Sequence, residues 1–372
     1  MRIEALTFFR FFAALIVVIF HYGKETKLVT YAKPFIISGP QMVSFFFVLS
    51  GFVLMISHYN KKNETFTSFY ASRAVRLAPI YIISLLLTSY FTFGKGINNI
   101  KAFVLSLTFL QSWFPPYPLS INSPAWAMSV EVFFYISFPL ILLIIKKCDI
   151  KPVWLILFSL SIYIFTQSIL SNLLGTNFYD GFPSTSHDLI FYFPLSHACS
   201  FLLGVAGGYV CIKNEKYILS QGPLSLTILI VVLFSTYLLL QYPNAIRMVF
   251  DFPIAFGSSF YGLIFLILIL SIAFSNNFIT RLLSLPIFII LGEASYSMYI
   301  LQQPLRIVYR SYIAEYLTLN KSNDFYAYLV FLITIAIATL YLIEKPFKNL
   351  LIGKKVRLPP KDKVAIDMAN NR

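Results

Sequence analysis

Charge is scarce in this chain. Only 12% of its 372 residues are Asp, Glu, Lys or Arg, whereas 58% are hydrophobic and 18% aromatic. Mean hydropathy is +0.76. A soluble core of this length could not hide so much apolar surface, so the reading is an all-α polytopic membrane protein. Acidic residues are the rarer sign: 15 against 29 basic ones, a formal net charge of +14. In a soluble protein that excess would point to nucleic acid. Here it sits in short loops and the C-terminal tail, so it reads as topology and contact with anionic membrane lipids, and no nucleic-acid partner is expected. Cysteine is nearly absent. Cys148, Cys199 and Cys211 are scattered without metal-ligand spacing, which leaves neither a disulfide framework nor a metal site. Soluble-enzyme signatures are missing too: no H-x-x-x-x-D, no H-E-x-x-H, no P-loop, no G-x-S-x-G.

What is present begins with RFFAALIVVIFHY, which has no small-residue cleavage pattern and carries Arg10 inside it. It reads as a retained first span. Arg10 and His21 stand eleven residues apart, roughly 20° past three full helical turns, so they share a face and differ in height by about 16 Å. A charge at mid-membrane costs at least about 2.5–3.5 kcal/mol on insertion scales, so such a face belongs toward protein or an aqueous cavity. Further apolar runs fall at about 40–57, 77–93, 124–145, 152–171, 189–211, 223–241, 253–274, 285–307 and 325–343. Pro79 is expected in the first turn of the third span, and Ser123-Pro124 reads as a capping serine with proline at the first helical position. Ser50-Gly51 permits close helix contact. The run AFVLSLTFLQSWF is too short to span and reads as a re-entrant or interfacial helix.

With that run excluded and the N-terminus cytoplasmic, the loops 58–76, 146–151, 212–222 and 275–284 and the tail are basic and cytoplasmic. The outer segments 94–123, 172–188 and 242–252 are charge-poor, acidic or near neutral; 23–39 and 308–324 keep some positive charge. The positive-inside rule then favours about ten transmembrane helices plus the short one, with both termini cytoplasmic. Two regions are expected: a membrane domain over 1–347 and a basic tail over 348–372. No internal repeat signals an inverted-repeat transporter.

Each polar residue in this frame has a plain reading and a chemical one. Arg73 and Arg76, one turn apart, are headgroup arginines or a fork for phosphate oxygens. Arg10 snorkels or lines a cavity. His21 caps its helix end or acts as a general base. Glu131 complements a helix dipole or, at a depth comparable to His21, holds its imidazole in one tautomer. His197, in a small-residue helix, reads as a hydrogen-bonded bundle residue, and His58 and His187 as loop residues.

Together these stretches resemble the acyltransferase-3 family of bacterial integral-membrane acyltransferases. The resemblance is carried by Arg10 and His21 in the first span, SFFFVLSGFVL, RAVRLAPIY, SPAWAMSVEVFFY, GEASYSMYILQQP and the late EKPF. It implies transfer of an acyl group, usually acetyl from acetyl-CoA as co-substrate with no permanently bound cofactor, to a hydroxyl of a glycan or lipid-linked oligosaccharide. O-antigen or another surface polysaccharide is the implied acceptor and the bacterial inner membrane the implied location. Residue by residue, it implies a catalytic role for Arg10 and His21, supported by Glu131. Acyl-CoA binding falls to Arg73, Arg76 and Arg10, and supporting roles to Trp126, Ser295, Tyr296, Tyr299 and Gln302. Two departures stand out. Gln302 occupies a place where the family commonly has histidine, and His197 and Ser200 stand where Arg and Glu are frequent. Many relatives carry a further esterase domain, so a stand-alone membrane domain is expected here. The competing classes are a solute or ion transporter using the same buried charges, and a scaffold with decayed chemistry.

Overall fold

The computed structural model describes residues 4–27, 33, 37–61, 64–92, 100–214, 223–250 and 252–352. Most of the expected tail, from residue 353 on, lies outside them.

The described residues form helices and irregular segments, with no strand. In chain order the main helices are α1 (Glu4–Tyr22), α2 (Gly39–His58), α3 (Phe66–Thr92), α4 (Ile100–Leu107), α5 (Trp126–Lys147), α6 (Pro152–Gly175) and α7 (Thr185–Phe191). There follow α8 (Pro194–Lys213), α9 (Pro223–Gln241), α10 (Gly262–Ala273), α11 (Pro286–Tyr312), α12 (Lys321–Thr339) and α13 (Lys345–Ile352). Eight helical segments among the described residues are long and apolar enough to cross a membrane. Of the ten expected spans, α10 is shortened to 12 residues, and the 27-residue α11 is long but carries Glu293, Arg306, Arg310 and two glutamines.

Small residues set the closest crossings. A Cβ on Gly51 would lie 2.2 Å from the Phe201 carbonyl oxygen, and one on Gly204 would lie 1.9 Å from that of Val48, so α2 and α8 touch backbone to backbone. The expectation for Gly51 and for the small-residue helix around His197 holds.

Four expectations change. The basic stretch 58–76 is not all loop: α3 begins at Phe66, where the Thr65 hydroxyl accepts from the Ser68 amide. Arg73 and Arg76 are therefore helical, and Pro79 lies mid-helix rather than in the first turn. The run 189–211 is broken at Tyr192–Phe193, because Pro194 lacks an N–H and forces an extended Phe193. The run 253–274 is helical only from Gly262. Its first part is irregular and, from Ile254 on, largely buried, with Ser259 at φ 67. Its polar groups are met from outside, by Gln167 Nε2 on the Ser258 carbonyl at 3.0 Å and by Tyr163 on that of Phe260. Finally, Ser123 does not cap α5. It opens a 3₁₀ turn, Ser123–Ala125, and its amide donates to Gln303 Oε1 on α11 at 2.7 Å.

The charge-free segment after α4 folds back into the bundle. At eight residues, α4 rises only about 12 Å, too little to span. Gln111, Ser112 and Asn122 beyond it are buried. Side chains satisfy this non-helical backbone: Gln111 donates to the Ala125 carbonyl (2.9 Å), Asn122 to that of Ile300 (2.9 Å) and Gln303 to that of Ile121 (3.0 Å). The consequence is positional: α5 starts inside the bundle, level with the middle of α11.

Candidate active site

Two adjoining cavities, of about 100 and 480 Å³, share a wall made by Arg10, Leu49, Val53, Arg73 and Arg76. The smaller adds Glu131 and Tyr135 from α5 and Ser295, Tyr296 and Tyr299 from α11. The larger opens toward Glu293, Glu344, Lys345 and Lys348. Arg10, Arg73, Arg76 and Glu131 thus converge from three helices.

The arginines are held differently. Arg73 stands over the rings of Phe69 (5.7 Å) and Tyr135 (5.8 Å), with its Nε 3.4 Å from Ser72 Oγ. Arg10 and Arg76 make no hydrogen bond or ion pair among the described residues, although both feel the charges of Glu131 and Glu344. A guanidinium is always charged and carries only donors. Two of them facing a cavity with their donors unused have the charge and geometry that suit an anion.

The expected contact between Glu131 and His21 does not form. Glu131 accepts from the Tyr135 hydroxyl, one turn along the same helix. Geometry gives the reason. Ser123 is tied to Gln303, and His21 to the adjacent Gln302, so the start of the α5 segment and His21 are level. Glu131 lies eight residues further along, about 12 Å deeper. Arg10 lies about 16 Å below His21 on α1. The carboxylate therefore sits near the arginines rather than beside the imidazole.

His21 is half-buried, and its Nδ1 lies 2.8 Å from Gln302 Oε1. Gln302 is wholly buried. Its Nε2 donates to the Tyr299 carbonyl at 2.8 Å, and its own carbonyl accepts from the Tyr328 hydroxyl at 2.5 Å. Around this end, Arg306 covers the rings of Tyr22, Tyr309 and Tyr328 and pairs with Asp324 at 3.0 Å. His21 lines neither cavity. The aromatic pair Phe46–Tyr299 (5.8 Å) forms part of the smaller cavity's wall.

The other predicted residues divide. Ser295 and Tyr296 line the smaller cavity while bonding to the carbonyls of Gly292 and Leu77, both at 2.7 Å. Trp126 lines neither cavity; it packs on Phe47, Tyr192 and His197. His197 uses both ring nitrogens, with Ser259 Oγ and the Phe191 carbonyl, each at 3.0 Å. This matches the structural reading. His58 and His187 are helical rather than in loops, and His58 is buried at the end of α2. The sequence reading missed Tyr135, Glu293, Glu344 and Lys345 as cavity residues. Tyr135 had a signal, four residues after Glu131. Glu344, the acid of EKPF, lies in a π-helical turn, Leu340–Glu344, and bonds Ser297.

Comparison with known proteins decides the family. The profile described as an acyltransferase domain matches residues 3–344. The chain belongs to the acyltransferase-3 family. Acyltransferase MdmB of Streptomyces mycarofaciens is 30% identical over 166 residues, 41% of this chain and 42% of that protein. A Staphylococcus aureus (strain COL) protein named "Putative O-acetyltransferase" is 23% identical over 320 residues, covering 78% of this chain and 48% of its own length. This acyltransferase-family chain spans about half the length of those curated relatives. No solved structure matches it.

Proposed function

We propose that the protein is a membrane-embedded O-acyltransferase. It moves an acyl group, acetyl before longer chains, from cytoplasmic acyl-CoA to a hydroxyl of a surface glycan or lipid-linked oligosaccharide in the bacterial inner membrane. The observation that carries the reading is the pair of unpaired guanidiniums, Arg10 and Arg76, beside Arg73 in the shared cavity wall. Coenzyme A offers phosphates for those donors and a narrow arm that reaches inward. Lys345 and Lys348 add positive charge at the larger cavity's edge.

In this reading the Arg10 end of the bundle and both termini are cytoplasmic. The thioester passes Phe46 and Tyr299 to reach His21, and the acceptor arrives from the opposite side. His21 takes the hydroxyl proton as the oxygen bonds to the thioester carbonyl carbon. The carbon–sulfur bond then breaks, and the departing thiolate recovers the proton from the imidazolium. Gln302 rather than Glu131 holds the imidazole, and Glu131 offsets the arginine charge. Acyl-CoA is a co-substrate, not a resident cofactor.

The test uses purified full-length protein in lipid, supplied with acetyl-CoA and a glycan acceptor. CoA thiol should appear in step with acylated acceptor. The His21→Ala variant should lose transfer and keep acetyl-CoA binding. An active variant would sink the role of His21. Solute flux without CoA release would make the protein a transporter.

A further inference from the structure

We infer that Gln302 is a positioning residue that holds His21 as the Nδ1–H tautomer and leaves Nε2 as the atom that takes the proton. The inference rests on the proposed role of His21 and adds which nitrogen works and what selects it.

The argument runs through donors and acceptors. A glutamine amide has an NH₂ that donates and an oxygen that accepts. One end of the Gln302 amide lies 2.8 Å from the Tyr299 carbonyl oxygen, which can only accept. That end is therefore the nitrogen, and the oxygen faces His21 Nδ1 at 2.8 Å. An oxygen cannot donate, so Nδ1 must carry the proton. In the neutral ring the other nitrogen then bears the lone pair.

The amide has little freedom to turn. Gln302 is wholly buried, and its backbone is fixed by the Tyr328 hydroxyl. Reversing the amide would set oxygen against oxygen at Tyr299. His21 Nε2 has no hydrogen-bond partner among the described residues. Lys24 supplies a charge that the ring feels. His197 shows the opposite arrangement: Nε2–H donates to the Phe191 carbonyl and Nδ1 accepts from Ser259, so no nitrogen is left for chemistry. An amide neither protonates nor ionises near neutral pH, so it cannot act as the acid or base. The task at position 302 in this chain is orientation, not proton relay.

The experiment compares Gln302→Met with Gln302→Glu in the full chain in lipid nanodiscs. Both remove the NH₂ that bonds Tyr299, but only Glu keeps an oxygen for Nδ1–H. Nitrogen-15 NMR of labelled histidine reads the tautomer of the neutral ring, with the His21 signal assigned by its loss in His21→Ala. Wild type and Gln302→Glu should show a protonated Nδ1. In Gln302→Met the Nε2–H form should appear, and kcat should fall about ten-fold or more with KM for acetyl-CoA unchanged. Wild-type tautomer and kcat in Gln302→Met would overturn the proposal. So would an Nε2–H wild-type ring, which needs no variant to detect. An active His21→Ala would instead remove the reading on which the proposal stands.

Discussion

Gly292 of α11 meets Thr7 of α1 backbone to backbone: a Cβ on Gly292 would lie 2.0 Å from the Thr7 carbonyl oxygen. Arg10 is one turn beyond Thr7, and Ser295 is one turn beyond Gly292. The contact therefore fixes the height of Arg10 against the α11 wall of the cavity. Gly292→Ala must push the helices apart, at about 1–3 kcal/mol. Thermal unfolding in detergent should show the loss, and acetyl-CoA affinity should fall with it. An unchanged melting point and affinity would mean that the crossing has slack.

Arg76 tests the anion site. Arg76→Ala removes charge-assisted bonds worth about 1.5–3 kcal/mol, roughly ten-fold to more than a hundred-fold in affinity. Arg76→Lys should recover little, because a point charge does not reproduce the planar fork. Calorimetric titration with acetyl-CoA measures both. Unchanged binding would leave Arg76 as a mid-helix arginine with no part in holding the anion.

Glu131 separates two arrangements of the site. Beside His21, its neutralisation would move the acid limb of the pH–rate profile to lower pH, since a carboxylate favours the imidazolium. With about 12 Å of helix between their levels, Glu131→Gln should leave that limb where it stands in the wild type. The profile of acetyl transfer across the acid range is the measurement.

Cys148 reports orientation. It is the exposed one of the three described thiols, at the end of α5, whereas Cys199 and Cys211 are buried. A membrane-impermeant maleimide should label Cys148 in inverted vesicles and not in intact spheroplasts. The reverse pattern would overturn the proposed cytoplasmic placement of the Arg10 end.

Much of this arrangement was readable from residue order. The difference in height between Arg10 and His21 along the first helix, the one-turn spacing of Arg73 and Arg76, and the shortness of the run at 102–114 follow from helical rise and period alone. The partner of His21 was not readable. Glu131 is the more basic and more obvious candidate, and its distance from His21 depends on where α5 begins. That depth is set by a non-helical segment whose hydrogen bonds go to Ile300 and Gln303, some 180 residues away. Nothing in local periodicity records such a tie. The irregular start at 253–261 was hidden for a related reason: its apolar composition suits a helix, and its breaks are met by Tyr163 and Gln167 from another element.

The shared cavity wall has a consequence for insulation. A hollow reaching into a membrane bundle thins the barrier that keeps protons and metal cations from crossing. The two cavities are lined by Arg10, Arg73, Arg76, Lys345 and Lys348 against Glu131, Glu293 and Glu344, so the wall keeps an excess of fixed positive charge. Fixed cations in a narrow polar passage repel mobile ones, as in pores that pass neutral solutes and exclude protons. The arginines that suit an anionic ligand would also keep the membrane sealed when no ligand is bound.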